Sequence, residues 1–200
     1  KEFFKEFGVQ LKYGIYNEYG LHKDVLQDLL IYYSSCEEDM VTLREYVERM
    51  KEGQEKIYYA CGETIDKIKM LPQTDMVREK GFEILYMTDQ VDEFAIQMLS
   101  EYDGKTFVNI CGDSFDISSE EEKEALKKVN DEAADMLSKM NDAIDAGLAG
   151  VRFTNKLKKH PVCLTSEGAL SLEMEKTLNA MPLDEKVKAE LVLEINSQHP

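Results

Sequence analysis

Read for apolar spacing, the chain opens on Phe4, Phe7, Leu11 and Ile15, at steps of three, four and four. That spacing marks one face of a helix over Glu2–Tyr16. After a turn around Asn17–Gly20, residues Val25, Leu26, Leu29, Leu30 and Tyr33 continue a stripe at helical period. Thr42-Leu43-Arg44-Glu45 fits a capping box, in which a hydroxyl and a carboxylate satisfy the first free amides of a helix, here a short one over Leu43–Met50. The pattern then changes. Residues Ile57–Leu99 read as a strand (Ile57–Ala60), a turn at Gly62, a helix (Ile65–Lys80), a strand (Phe82–Met87) and a helix (Asp89–Leu99). Thr106–Ile110 supplies a third strand after Gly104. This alternation predicts a small parallel sheet with right-handed crossovers.

Asp113–Glu122 is polar, interrupted only by Phe115 and Ile117, and reads as a boundary. Ser118-x-x-Glu121 forms a second capping box. It opens a long helix with Leu126, Val129, Ala133, Met136, Met140 and Ile144 on one side, stopped by Gly147 and Gly150. Strands follow at Val151–Leu157, Val162–Thr165 and Leu191–Ile195, with a helix over Ala169–Ala180 between the last two. The fold expected is α/β: a small, three-layer-like βαβα module over residues 1–113, then a small α+β domain (αββαβ) led by a long helix over 114–200.

Composition narrows the functions. A 43% hydrophobic fraction supplies a core, and 32% charged residues supply a polar surface. The net charge of −16 argues against nucleic acid or an anionic membrane as partner, because phosphate binding needs clustered Lys and Arg. No run approaches the ~18 apolar residues that span a bilayer, and KEFFKEFG lacks a secretory signal's apolar stretch. Without an initiating Met and beginning inside a helical pattern, the chain reads as an excised fragment. Cys36, Cys61, Cys111 and Cys163 form no CxxC and no Cys/His cluster, which predicts reduced, mostly buried thiols and no metal site.

Chemistry is sparse. Gly62 sits at a strand-to-helix turn, where phosphates often bind, but there is no GxGxxG or GxxxxGK[ST], and Glu63 would repel an anion; Thr64 reads as a helix cap. His22, His160 and His199 are far apart, Ser34-Ser35-Cys36 lacks nucleophile-elbow glycines, and acid pairs such as Asp92-Glu93 arise by chance among 40 acidic residues. Glu120-Glu121-Glu122 suits the positive end of a helix dipole. Leu170, Met174, Leu178 and Met181 recur at four, four and three, with Leu172 on the other side; from the residues alone the stripe reads as core, the alternative being an exposed apolar face that marks an interaction site. Met side chains suit a surface that adapts to many sequences.

The strings IYYACGET, GFEILYMTDQVDEFAIQML and EYDGKTFVNI, with FGVQLKYGIY, LLIYYSS, VRFTNKL, PVCLTS and LEINSQHP in the same order, resemble the 90-kilodalton heat-shock chaperones of the bacterial HtpG type. The resemblance covers nearly the whole chain and implies the distal part of a middle domain joined to most of a C-terminal domain. It implies a cytoplasmic, ATP-dependent homodimer that closes on unfolded or partly folded client proteins. ATP, its Mg and the arginine loop that reaches the nucleotide would lie upstream, so this chain is expected to bind no cofactor and carry no catalytic residue. The final dimerisation helices would lie beyond Pro200, so the fragment is expected to be monomeric. Glu93, Phe94 and Gln97 match the family's middle-domain client patch, with Phe94 where some bacterial members have Trp. Leu170, Met174 and Leu178 match the apolar face of the C-terminal helix, expected to stay out of the interior. The rival readings are an acidic α/β adaptor module with one fixed partner, and an α/β enzyme whose site the sequence does not display.

Overall fold

The helix that the period predicts over Glu2–Tyr16 is present as α1, with Ile15 fully buried and Phe4 and Leu11 packed on the core. Phe7 is half exposed and meets Phe3 in a tilted pair, ring centroids 5.0 Å apart. The structure, a computed structural model, describes residues 1–144, 146–182 and 185–199, the side chain of Glu18 excepted. After α1 come α2 (Lys23–Leu26), β1 (Ile31–Ser34), β2 (Met40–Thr42), α3 (Leu43–Glu48), β3 (Ile57–Cys61), α4 (Ile65–Lys69), α5 (Thr74–Glu79), β4 (Ile84–Met87), α6 (Asp92–Leu99), β5 (Glu101–Tyr102) and β6 (Lys105–Asn109). They are followed by α7 (Glu120–Glu132), α8 (Ala134–Ile144), β7 (Gly150–Thr154), β8 (Val162–Glu167), α9 (Leu172–Ala180) and β9 (Glu190–Asn196). The protein is mixed α/β and folds as two compact units, Lys1–Met70 with Lys80–Ile110, and Leu71–Glu79 with Cys111–Pro200.

In the first unit, the sheet order is β2-β1-β4-β3-β6-β5. As expected, β3 lies parallel to both β4 and β6. Every residue of β4 and the first four of β3 are buried, the mark of central strands covered on both faces. The helical stripe expected through Tyr33 is corrected. The helix ends at Leu26, a 3-10 turn covers Gln27–Leu29, and Ile31-Tyr32-Tyr33-Ser34 is extended, pairing with β2 and β4. β-branched and aromatic side chains fit a half-buried pleated surface, and pairing overrides the local period. The hairpin β5–β6, not anticipated, turns on Asp103 and Gly104, both at positive φ, which matches the twist of two paired strands.

The Thr42 box forms as read: its hydroxyl accepts from Glu45 N at 3.1 Å, and the Glu45 carboxylate accepts from Thr42 N at 2.7 Å. Thr42→Ala is expected to cost about 1 kcal/mol, visible as faster amide exchange in α3; unchanged protection would show that the cap is dispensable. The helix expected over Ile65–Lys80 is broken into α4 and α5. Pro72 has no N–H to give and drives the residue before it out of helical geometry.

The second unit carries a three-stranded sheet, β7-β9-β8, with β9 central, parallel to β7 and antiparallel to β8. The order α-β-β-α-β is as expected, but its long helix is two, α7 and α8, parted at Ala133. Its cap is Ser119 with Glu122, one residue later than read; Ser118 instead accepts from Asn155 Nδ2 at 2.8 Å. Gly150 opens β7 and does not end the helix. On the edge of β7, the Asn130 carboxamide accepts from Phe153 N at 2.8 Å and donates to Phe153 O at 3.2 Å. A side chain there satisfies backbone groups that a neighbouring strand would otherwise take.

Candidate functional site

In the first unit the candidate residues sit on α6, which packs on the core through Ala95, Ile96 and Leu99 and is tied to α1 by one cation. Lys12, buried on α1, brings its Nζ to 2.5 Å from Asp92 Oδ1 and 2.7 Å from Asp89 Oδ2. The ammonium also lies 4.9 Å from the Tyr32 ring centroid, a cation–π approach. Asp92 Oδ2 accepts from Asp89 N at 2.9 Å, closing the turn before the helix. Burial pushes the Asp92 carboxyl above its ordinary range, although Lys12 pulls it down.

The three residues matched to a client patch do not share one environment. Glu93 is buried; its Oε1 accepts from Asn109 Nδ2 at 2.7 Å, with Tyr59 Oη 3.5 Å away. Its carboxylate makes an internal bond, because the helix turns it toward β3 and β6. Phe94 is half-buried and meets Tyr16 edge-on, ring centroids 5.6 Å apart. Gln97, one turn on, is exposed. Sequence reasoning missed Tyr16 and Tyr19. The 3-10 turn Asn17–Gly20 packs on α6, and Tyr19 within it is 93% exposed at φ 54°, a conformation strained for an aromatic residue. An aromatic residue placed in a Tyr-Gly turn was the available signal.

In the second unit, α9 begins at Leu172, capped by Ser171 Oγ, which accepts from Met174 N at 3.1 Å. Leu170 therefore precedes the helix and is half-buried. Two links strap the helix to the segment entering β9: the Asn179 carboxamide with Val187 N and O at 3.0 and 2.8 Å, and the Glu175 carboxylate accepting from Ala189 N at 2.7 Å. Met174 is turned inward, 6% exposed, so the expected open ridge is corrected there. Leu178 is half-buried and Met181 exposed. The apolar surface left is a broken one.

No group of three His, Cys, Asp or Glu side chains among the described residues is placed to hold a metal ion. Asp92 and Glu93 offer no free carboxylate for acid–base chemistry, one being paired with Lys12 and the other bonded to Asn109. Gly62 N donates to Met87 O, and Thr64 caps α4 as expected, accepting from Lys67 N at 3.2 Å. All four cysteines are thiols, not disulfides; Cys163 is buried, Cys36 is exposed and the other two are intermediate, contrary to the expectation of mostly buried thiols. No described helix is long and apolar enough to cross a membrane.

A family model described as Hsp90 protein matches residues 1–200. The chain is 51% identical over 198 residues to the chaperone protein HtpG of Clostridium acetobutylicum, covering 99% of this chain and 31% of that protein. It is 50% identical over 199 residues to the HtpG proteins of Clostridium perfringens and of Shouchella clausii, covering 100% of this chain and 32% of each. It thus spans about a third of the length of the curated relatives it matches. A match along every residue, on a mixed α/β fold whose strands follow the strings that first carried the likeness, places this chain in the Hsp90 family.

Proposed function

We propose that this chain supplies binding surface for unfolded or partly folded proteins within a longer chaperone. The observation that carries the reading is the exposed aromatic group on the first unit, in which Tyr19 stands open in a strained turn and Phe94 leans on Tyr16, with Gln97 one turn along. Large aromatic side chains with a polar neighbour suit transient contact with many sequences, since they supply contact area at low entropic cost. The net charge of −16 gives the chain a solvated surface. Leu170, Leu178 and Met181 form a second, weaker apolar region, with Met174 acting as its internal anchor.

In this reading the chain carries no catalytic step. The ATP hydrolysis, Mg and homodimer formation of the longer chaperone are not assigned to these residues in this reading, and the chaperone works in the cytoplasm. Within the first unit, Lys12 ties α6, which carries Phe94 and Gln97, to α1.

The test uses the full-length chaperone carrying Tyr19→Ala, Phe94→Ala or Met181→Asp, assayed for suppression of aggregation of an unfolded substrate. Loss of an aromatic anchor is expected to weaken capture by about tenfold, with ATP hydrolysis and far-ultraviolet circular dichroism unchanged. Tyr19→Ala removes an exposed side chain, so an unaltered fold combined with full suppression would overturn the patch. Met181→Asp is expected to have the smaller effect.

A further inference from the structure

A cleft of about 350 Å³ opens in the second unit between α7 and β7, lined by Leu126 and Phe153 and by Lys123, Lys127, Arg152 and Lys156, of which Lys127 is exposed and Lys156 buried. Those four cations meet three carboxylates in the lining, Asp113, Asp116 and Glu194, so the opening is net positive in a chain of net charge −16. Their partners differ. Arg152 is spent on Glu194 and Glu167, at 2.7 and 3.1 Å. Lys123 is paired with Glu120 and Asp116, at 2.8 and 3.9 Å. Lys127 makes no ion pair among the described residues.

Lys156 is the informative residue. It is 7% exposed, yet its ammonium has one acceptor, Glu194 Oε1, at a long 3.3 Å. The Phe115 ring lies 5.9 Å away, an apolar neighbour that accepts no ordinary hydrogen bond. A lysine ammonium has three donors, and a buried donor left unmade is costly. Two of the three have no acceptor among the described residues, and the group lines an open cleft. Glu194 already takes Arg152 Nε, Arg152 Nη2 and Lys156 on one oxygen, at 3.0, 2.7 and 3.3 Å, so it has little left to give.

We propose that this cleft binds a small organic oxyanion, a carboxylate or phosphate on an apolar body, with its head on Lys156 and Lys127 and its body against Leu126 and Phe153. The head fills the unused donors of Lys156, and Lys127 supplies the uncompensated positive charge. Asp113 and Asp116 also line the opening and disfavour a large polyanion, which points to a single oxyanion group. Apolar walls with a few convergent polar groups are the usual composition of a small-molecule site.

The test is a titration of the intact chain, followed by amide and lysine side-chain NMR, with phenyl phosphate, benzoate, inorganic phosphate and neutral benzyl alcohol. Phenyl phosphate and benzoate are expected to give saturable shifts at Lys156 and Phe153, weakened by added salt; which of the two binds tighter identifies the head group. Inorganic phosphate should bind more weakly, and benzyl alcohol should not saturate. Lys127→Glu, at an exposed position outside the Glu194 network, is expected to weaken binding about tenfold with the fold intact. Absence of saturation by either anion would mean that water alone meets Lys156. Equal binding of benzyl alcohol, or an unchanged affinity in Lys127→Glu, would equally overturn the proposal.

Discussion

Lys12→Met is expected to lower the stability of the first unit by about 3–5 kcal/mol, the usual result of removing one partner from a buried ion pair. Lys12 is 3% exposed and Asp92 1%, so the carboxylate left behind has neither water nor a counter-charge. Asp89, the other partner, is 40% exposed at its side chain and can turn to solvent; Asp92 cannot. The sign of the pH dependence follows. Burial holds the Asp92 carboxyl above its ordinary range, so the folded state takes up a proton more readily than the unfolded one. Its contribution is most favourable below the unfolded value and is lost as pH rises through the raised one. Without Lys12 that rise is larger. The gap between wild type and Lys12→Met should therefore be widest at neutral pH and close as the solution is acidified. Adding Asp92→Leu to Lys12→Met should recover much of the loss, since two apolar side chains tolerate this site better than one buried charge. A loss below about 1 kcal/mol in the single variant, or no recovery in the double, would show that the pair does not carry the packing of α1 on α6. The same variants should disturb the Phe94–Tyr16 contact, because Lys12 ties α6 to α1, the helix that ends at Tyr16.

Glu194→Gln is expected to destabilise the second unit by a similar amount, about 3–5 kcal/mol, through the opposite charge. Glu194 stands on the central strand β9, 1% exposed, and one of its oxygens neutralises Arg152 and the buried Lys156. Burial by itself would push its carboxyl up; the charge of Lys156 and the bonds from Arg152 outweigh that and leave it below its ordinary range. A lowered value gives stability that is complete above the unfolded value and drains away as pH falls through the folded one. Acid should therefore weaken the second unit through Glu194, and Glu194→Gln should lose that part of the pH dependence along with the stability. Beside it, Cys163 is pushed up to about 12, first by burial and then by the Glu194 charge, so its thiol stays protonated and unreactive at neutral pH. Because two units unfold in one chain that contains no Trp, residue-resolved hydrogen exchange is the measurement that separates them. An unchanged acid limb for β9 amides in Glu194→Gln would sink the assignment.

Local rules decided a good deal. The spacing of Leu11 and Ile15 gave α1 its limits, and Thr42 with Glu45 gave α3 its start. The apolar runs at Ile57 and Ile84 announced the parallel centre of the first sheet. Asp103-Gly104 was a readable hairpin turn that the short strands beside it concealed. Pro72 was equally readable as a helix breaker. Of the candidate patch, Phe94 and Gln97 were reached only through likeness to a family, and Tyr19 through neither route.

What the sequence alone determined is wherever the cause is local: helix faces from the 3.6-residue period, helix starts from a hydroxyl and a carboxylate three apart, central strands from unbroken apolar runs, and the family from ordered strings. Tertiary structure alone decided the rest. It set which side of α6 turned Glu93 in and left Phe94 out, and that Met174 faced inward. It also set that Lys12 would meet Asp92, eighty positions along the chain, and that Glu194 would sit among cations. Burial of a charge or of one helix face depends on what packs against it, and those partners are far away in sequence, where neither period nor propensity reaches.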